Sequence, residues 1–234
     1  MVEDAPPLAE GLDSNLCARF LQALPVSGAS LSVFAGLAPE TMVCASNALS
    51  ARIDELQFDL GEGPRWEALQ TRAPVLLPHL RSNDYAQWPV LAKALRDLEV
   101  ESLFVYPLIL GAMDIGVVEL YSSTPGPLSP ANHSTALRLA DTATWQLLRQ
   151  LLTLAPGDGA DTLADSSPLS RREVHQATGM VLAQAGTTAT DALLLLRAHA
   201  FAQGRTVRDV ARDVVAKNLS FTPDDGPSAS PGVQ

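Results

Sequence analysis

The residues in this sequence best placed to do chemistry do not form a catalytic set. Arg205, Arg208 and Arg212 recur at i, i+3 and i+7, which puts three guanidiniums on one side of a helix. Such a stripe can meet the phosphates of an anionic polymer. Arg171 and Arg172 open an earlier helical stretch, REVHQATGMVLAQAG, and can extend that charge. Gly179 sits in the middle of this stretch, at a cost of about 1 kcal/mol relative to alanine. A glycine there lets another backbone come close. Two plainer uses stay open: Gly179 can serve close packing between helices, and the arginines, with Asp209 and Asp213 beside them, can form an ordinary solvated face.

Other constellations are missing. The sequence has no GxxxxGK[ST] loop, no HExxH, no CxxC and no GxSxG. His79 and His133 are isolated, so neither a metal nor haem is expected, and His175 and His199 read as partly buried aromatics. Glu62, Arg65 and Asp84 can line a pocket, although surface charge is the commoner use of such residues. Cys17 and Cys44 suggest neither a disulfide framework nor a metal cluster and read as small buried hydrophobes. No cofactor is implied and no enzymatic activity is expected.

These residues need elements to hold them. The chain has 234 residues, 47% of them hydrophobic, enough for one large or two small globular domains. Its net charge of −10 is unevenly spread: residues 1–154 are acidic, whereas 171–221 hold 7 Lys+Arg against 4 Asp+Glu. A basic module inside an acidic protein points to an anionic partner. The first residues, MVEDAPPLAE, are unlike a secretory or transit peptide, and no apolar run is long enough for a membrane span. Arginine outnumbers lysine 14 to 2, a bias expected of a GC-rich bacterial genome; a cytoplasmic bacterial protein is expected.

Residues 1–154 read as the first module. LAEGLDSNLCARFLQALP carries a helical stripe that Pro25 stops, and ASLSVFAGL and TMVCASN are short strands joined through Ala38-Pro39-Glu40. GEGPRWEALQTR is a turn and short helix, PVLLP a strand, and WPVLAKALRDLEV a helix with Val90, Leu91, Ala94, Leu95 and Leu98 on one face. SLFVYPLIL and IGVVELYS, joined by GAMD, form the clearest hairpin, and a long helix follows from Ser129-Pro130. Helices at both ends of mostly antiparallel strands define an α+β domain. The last helix has two apolar stripes, one through Leu137, Ala140, Thr144, Leu147, Leu151 and Leu154, the other through Leu139, Ala143, Leu148 and Leu152. That pattern predicts a homodimer, with Leu147 and Leu151 on the seam; burial of both stripes within one domain is the alternative.

Residues 155–168, rich in Gly, Asp, Ser and Pro, read as a linker, and 222–234 as a disordered tail. Between them, 169–221 predicts a three-helix bundle. Ser170-x-x-Glu173, Thr188-x-x-Asp191 and Thr206-x-x-Asp209 recur as capping boxes, Gly186 and Gly204 stand at helix ends, and Leu169 and Val174 can staple the first helix.

The bundle also resembles a known family. Gln176-Ala177-x-Gly179, Asp191-Ala192, Leu196-Arg197 with Ala200, and Arg208-Asp209-Val210-Ala211 together resemble the ANTAR domain, the three-helix RNA-binding module of bacterial transcription antiterminators. LGEGPRWEAL, PVLLPHL and LGAMDIGVVELY resemble a GAF domain, a small-molecule-sensing fold. The resemblance implies an antiterminator that captures paired stem-loops in nascent RNA under control of a sensor domain, whose ligand it does not name. RNA-binding residues would be Arg172, Gln176, Thr178, Gly179, Arg205, Arg208 and Arg212: amide and hydroxyl on base edges or phosphate, glycine at a splayed nucleotide, arginines on phosphates. Many ANTAR sequences have lysine where this chain has Thr178. A protein-docking or DNA-binding signalling regulator with the same sensing module is the alternative. Asp209 and Asp213 make the third helix a poor major-groove reader.

Overall fold

A computed structural model describes residues 15–34, 40–83, 85–153 and 171–222. The chain divides into two units between Arg172 and Glu173. The linker expected at 155–168 lies outside the described residues, as do Ser170, Leu169, Asp84, the Ala38-Pro39 part of the first hairpin and nearly all of the expected tail.

The first unit is built on five strands: β1 (Gly28–Val33), β2 (Thr41–Ala45), β3 (Val75–Leu77), β4 (Ser102–Leu110) and β5 (Met113–Ser122). They pair in the order β2-β1-β5-β4-β3, each pair antiparallel. Side chains alternate across the sheet. Phe104, Tyr106, Leu108, Val118 and Leu120 face α1 (Leu16–Ala23) and α5 (Pro130–Thr153) in one core. Leu103, Val105, Val117 and Tyr121 face the opposite way, into a second core. That core is closed by α2 (Ala48–Leu60), α3 (Pro64–Thr71) and α4 (Pro89–Arg96). This is an α+β architecture with helices on both faces of an antiparallel sheet.

Three expectations need correction. Cys17 and Cys44 are buried as expected, but they are joined in a disulfide between α1 and β2. Their Cα atoms lie 6.1 Å apart because α1 packs against β1 and β2, which a separation of 27 residues does not announce. On α4 the inward face is Leu91, Ala92 and Leu95, while Val90 is exposed. On α5, Leu147 and Leu151 are buried in the unit's own core and so cannot be a dimer seam; Trp145 and Leu152 are the exposed apolar side chains near that end.

The second unit contains α6 (Arg172–Ala185, whose first residue belongs to the first unit), α7 (Ala189–Gln203) and α8 (Val207–Val215). Its core is Val174, Ala177, Val181, Ala192, Leu196, Ala200, Val207, Val210, Ala211 and Val214. Thr188 and Thr206 cap α7 and α8 by accepting from the backbone N–H of Asp191 and Asp209. The aspartate arms are too short for the reciprocal backbone bond of a full capping box; each carboxylate instead accepts from the threonine hydroxyl. Gly186 and Gly204 take left-handed conformations, φ 62° and 63°, that turn the chain out of each helix. Among the described residues, no single helix is long and apolar enough to cross a membrane.

Candidate functional site

On α6 the inward residues Val174, Ala177 and Val181 leave Arg172, His175, Gln176, Gly179, Leu182 and Ala183 on the exposed side. Arg172, Gln176, Gly179 and Ala183 follow one another at spacings of four, three and four. The stripe they form is polar over its first turns, bare backbone at the glycine, and carries only a methyl group beyond it. A methyl group placed on Gly179 itself would meet no atom within 4 Å. The glycine therefore does not serve helix packing inside the bundle, and the face at this point is open for another molecule's backbone or base. Thr178 stands apart: it is half-buried, and its hydroxyl donates to the Val174 carbonyl at 2.7 Å.

The expected stripe of three arginines on one helix is incomplete: Arg205 precedes the Thr206 cap and is exposed, Arg208 is half-buried beside the valine face of α8, and Arg212 is exposed on that helix. Arg205 pairs with Asp213 at 2.7 Å and Arg212 with Asp209 at 3.5 Å. These surface pairs are worth roughly 0–1 kcal/mol each, so a phosphate can displace the carboxylates at little cost. Arg171 does not join this stripe; its guanidinium is spent elsewhere. His199 holds a ring nitrogen 2.8 Å from Gln203 Nε2 and packs edge-on to Phe221.

The first unit holds a second polar assembly, inside its core. Arg65 is fully buried, although position alone suggested a surface charge. Its Nε donates to Glu119 Oε1 at 3.1 Å, its Nη2 to Glu119 Oε2 at 3.2 Å and to Asp54 Oδ1, and its Nη1 to Glu40 Oε1 at 3.0 Å. Glu119 lies on β5 with the parity of Val117 and Tyr121, opposite Ser30 of β1, so strand alternation directs it into the second core. Ser32 donates to Asp54 at 2.6 Å and Gln57 to Glu119 at 2.6 Å. Arg171 completes the group from the far side: its Nη2 donates to Asp54 Oδ2 at 2.6 Å and its Nη1 to Glu40, with its Cζ 3.7 Å from the Phe58 ring centroid.

Burial pushes the Asp54 carboxyl upward, but the charges of Arg65 and Arg171 outweigh it and hold the group below its ordinary value. Burial also raises Glu119, and there it wins over Arg65, with Asp54 adding to the rise. For Arg65, burial opposes the charge and the three carboxylates more than restore it, so that it stays a cation. Among the described residues no buried side-chain nitrogen or oxygen lacks a partner, and no group of three or more His, Cys, Asp or Glu is arranged to hold a metal ion.

Sequence reasoning missed this cluster, because it passed over α2, which supplies Asp54, Gln57 and Phe58. Of the residues it offered for a pocket, Arg65 is central. Glu62 instead accepts the Leu91 N–H at 2.7 Å at the start of α4. His133 faces Tyr106, ring nitrogen to hydroxyl 2.9 Å, and burial raises that phenol to about 12.

Comparison with known proteins fits this division of the chain. The GAF domain pattern matches residues 14–145 and the ANTAR domain pattern residues 166–215. No curated protein matches the chain. Solved structures similar to it include the GAF domain from a phosphoenolpyruvate-protein phosphotransferase of Coxiella burnetii, at 16% identity and a TM-score of 0.49, covering 64% of this chain and 87% of that one. A GAF domain/HD domain protein from Geobacter sulfurreducens aligns at 16% identity and a TM-score of 0.46, covering 63% and 99%. The GAF domain of a two-component sensor histidine kinase from Bacillus halodurans aligns at 14% identity and a TM-score of 0.46, covering 59% and 92%. With more than half of its length matched by the GAF pattern and a later stretch by the ANTAR pattern, this chain belongs to the GAF domain family and bears an ANTAR domain behind its GAF domain.

Proposed function

We propose that this protein is a cytoplasmic transcription antiterminator, regulatory and not catalytic. Its ANTAR domain captures stem-loops in nascent RNA and its GAF domain, with a small-molecule ligand, controls that capture. The observation that carries the reading is the exposed stripe Arg172, Gln176, Gly179 on α6, open at the glycine, in a chain matched by the ANTAR pattern. Amide and guanidinium groups on that stripe suit base edges and phosphates, and Arg205, Arg208 and Arg212 add phosphate contacts on α8 and just ahead of it. Thr178, in place of the frequent lysine, contributes no charge.

Titration of the full chain against paired RNA stem-loops, duplex DNA and unstructured RNA tests this. Stem-loop RNA should bind best, with an affinity that falls steeply with salt. Arg208→Ala and Arg212→Ala should each weaken all RNAs alike and flatten the salt slope by about one. Equal or tighter binding to duplex DNA would refute the RNA assignment.

The exposed Leu194 and Phe201 on α7 favour a second reading, a bundle that docks on another protein. That reading forecasts no nucleic-acid binding in the same assay. For the homodimer, the exposed Trp145 and Leu152 on α5, 60% and 59% accessible, support contact with a second copy. Trp145→Glu should then shift sedimentation from dimer to monomer, and a wild-type chain that sediments as a monomer at tens of micromolar would dismiss it.

A further inference from the structure

The buried cluster of the first unit is short of positive charge until Arg171 arrives. Among the described residues of the span matched by the GAF pattern it comprises three carboxylates, Asp54, Glu119 and Glu40, and one guanidinium, Arg65. Asp54 offers one oxygen to each arginine: Oδ1 goes to Arg65 and Oδ2 to Arg171. Glu40 Oε1 likewise serves both. The second cation comes from residue 171, beyond the end of that span, and 94% of its side chain is covered. The outer half of the cluster is thus a seat with two carboxylates at its rim and an aromatic floor, and it is filled by a side chain of the same unit that lies beyond the span matched by the GAF pattern.

The geometry points to this seat as a binding site for a small guanidinium-bearing ligand, with Arg171 as its built-in competitor. The shape favours guanidinium over a simple ammonium. Two separate Nη atoms each meet a different carboxylate, and the planar Cζ lies 3.7 Å from the Phe58 ring centroid, a stacking that a compact tetrahedral cation cannot reproduce. A tethered occupant acts at an effective concentration on the order of millimolar, so an external guanidinium must outcompete it. Removing Arg171 should therefore tighten binding. The proposal deepens the reading of the first unit as a sensor and rests on it, but its test measures cation binding directly and involves no RNA. A chain that failed to bind RNA would leave it standing.

The test is calorimetric titration of the full chain with methylguanidinium and, separately, methylammonium. Arg171→Ala should bind methylguanidinium saturably, at least tenfold more tightly than wild type and at least tenfold more tightly than it binds methylammonium. Adding Phe58→Leu to Arg171→Ala should weaken the methylguanidinium affinity by about tenfold. If Arg171→Ala does not fold by itself, refolding on addition of millimolar methylguanidinium, and not of methylammonium, is the supporting result; Arg171→Lys then replaces it in the titration, since its weaker fit should be displaced more readily than arginine. Absence of saturable methylguanidinium binding in a folded Arg171 variant, or equal binding of the two cations, overturns the proposal.

Discussion

Replacing Gly179 by alanine and by leucine separates the helix from what approaches it. An added methyl meets nothing within 4 Å, so the alanine variant should differ from wild type only through helix propensity, a gain of about 1 kcal/mol. Since 1.4 kcal/mol is a factor of ten, the α6 amides should exchange about fivefold more slowly. For a bundle of about fifty residues, whose unfolding entropy is roughly 0.1 kcal/mol/K, the same gain raises the midpoint by about 10 °C. Leucine at this exposed helical position should also fold, yet on the proposed RNA-capture reading its side chain stands where a nucleotide comes close, and stem-loop affinity should drop at least tenfold. Hydrogen exchange on the full chain and RNA titration, run on both variants, read the two effects separately. Faster exchange in Gly179→Ala would mean that the site is not open after all. A folded Gly179→Leu protein that binds stem-loops as wild type does would remove the glycine from the interface.

Three further outcomes follow from the first unit. Arg65→Leu removes the cation shared by all three carboxylates, leaving Glu119 with none while Arg171 still faces Asp54 and Glu40, and should cost about 3–5 kcal/mol in chemical denaturation; a loss under 1 kcal/mol would show that Arg65 is not what balances the buried carboxylates. Cys17→Ser opens a loop closed across 27 residues and should destabilise by about 3–4 kcal/mol on chain-entropy grounds, measured under non-reducing conditions; an unchanged midpoint would count against the bond. Asp54, held below its ordinary 3.8, adds stability that is complete above that value and is lost as pH falls through its folded pKa. Glu119, raised above 4.5, runs the other way, favouring the fold below 4.5 and losing that contribution as pH rises through its folded pKa. Asp54→Asn should therefore flatten the acid limb of stability against pH below about 4, and an unaltered limb would exclude Asp54 as its source.

The elements with uncomplicated faces could be read from sequence alone. SLFVYPLIL and IGVVELYS are apolar runs separated by a short turn and pair as expected, and the valines at 207, 210 and 214 turn inward on α8 as their spacing requires. Helix α2 could not be read in that way. Its buried residues include Ser50, Asp54 and Gln57 among Ile53, Leu56 and Phe58, so the inward face is half polar and gives no apolar period. The same substitution of ion pairs for hydrocarbon hid Arg65 and Glu119, which look like surface charges until strand parity and α3 bring them together. For the candidate interface the sequence located the exposed glycine, but of the three arginines spaced at i, i+3 and i+7 only Arg208 and Arg212 lie on α8, since Thr206 caps the helix after Arg205. It did not reveal that Arg171 faces the core of the first unit, because nothing local separates Arg171 from Arg172.

The two left-handed glycines have a kinetic consequence. With Gly186 and Gly204 turning the chain so tightly, α6, α7 and α8 are joined by connections of only a few residues. Successive helices of the second unit can therefore meet soon after they form, a condition that favours folding in about microseconds to milliseconds. A bundle with so small a core should open often and close quickly, which hydrogen exchange would read. Its capacity to bind at any instant is then set by the equilibrium between open and closed forms, and the speed of capture by how often a partner is encountered.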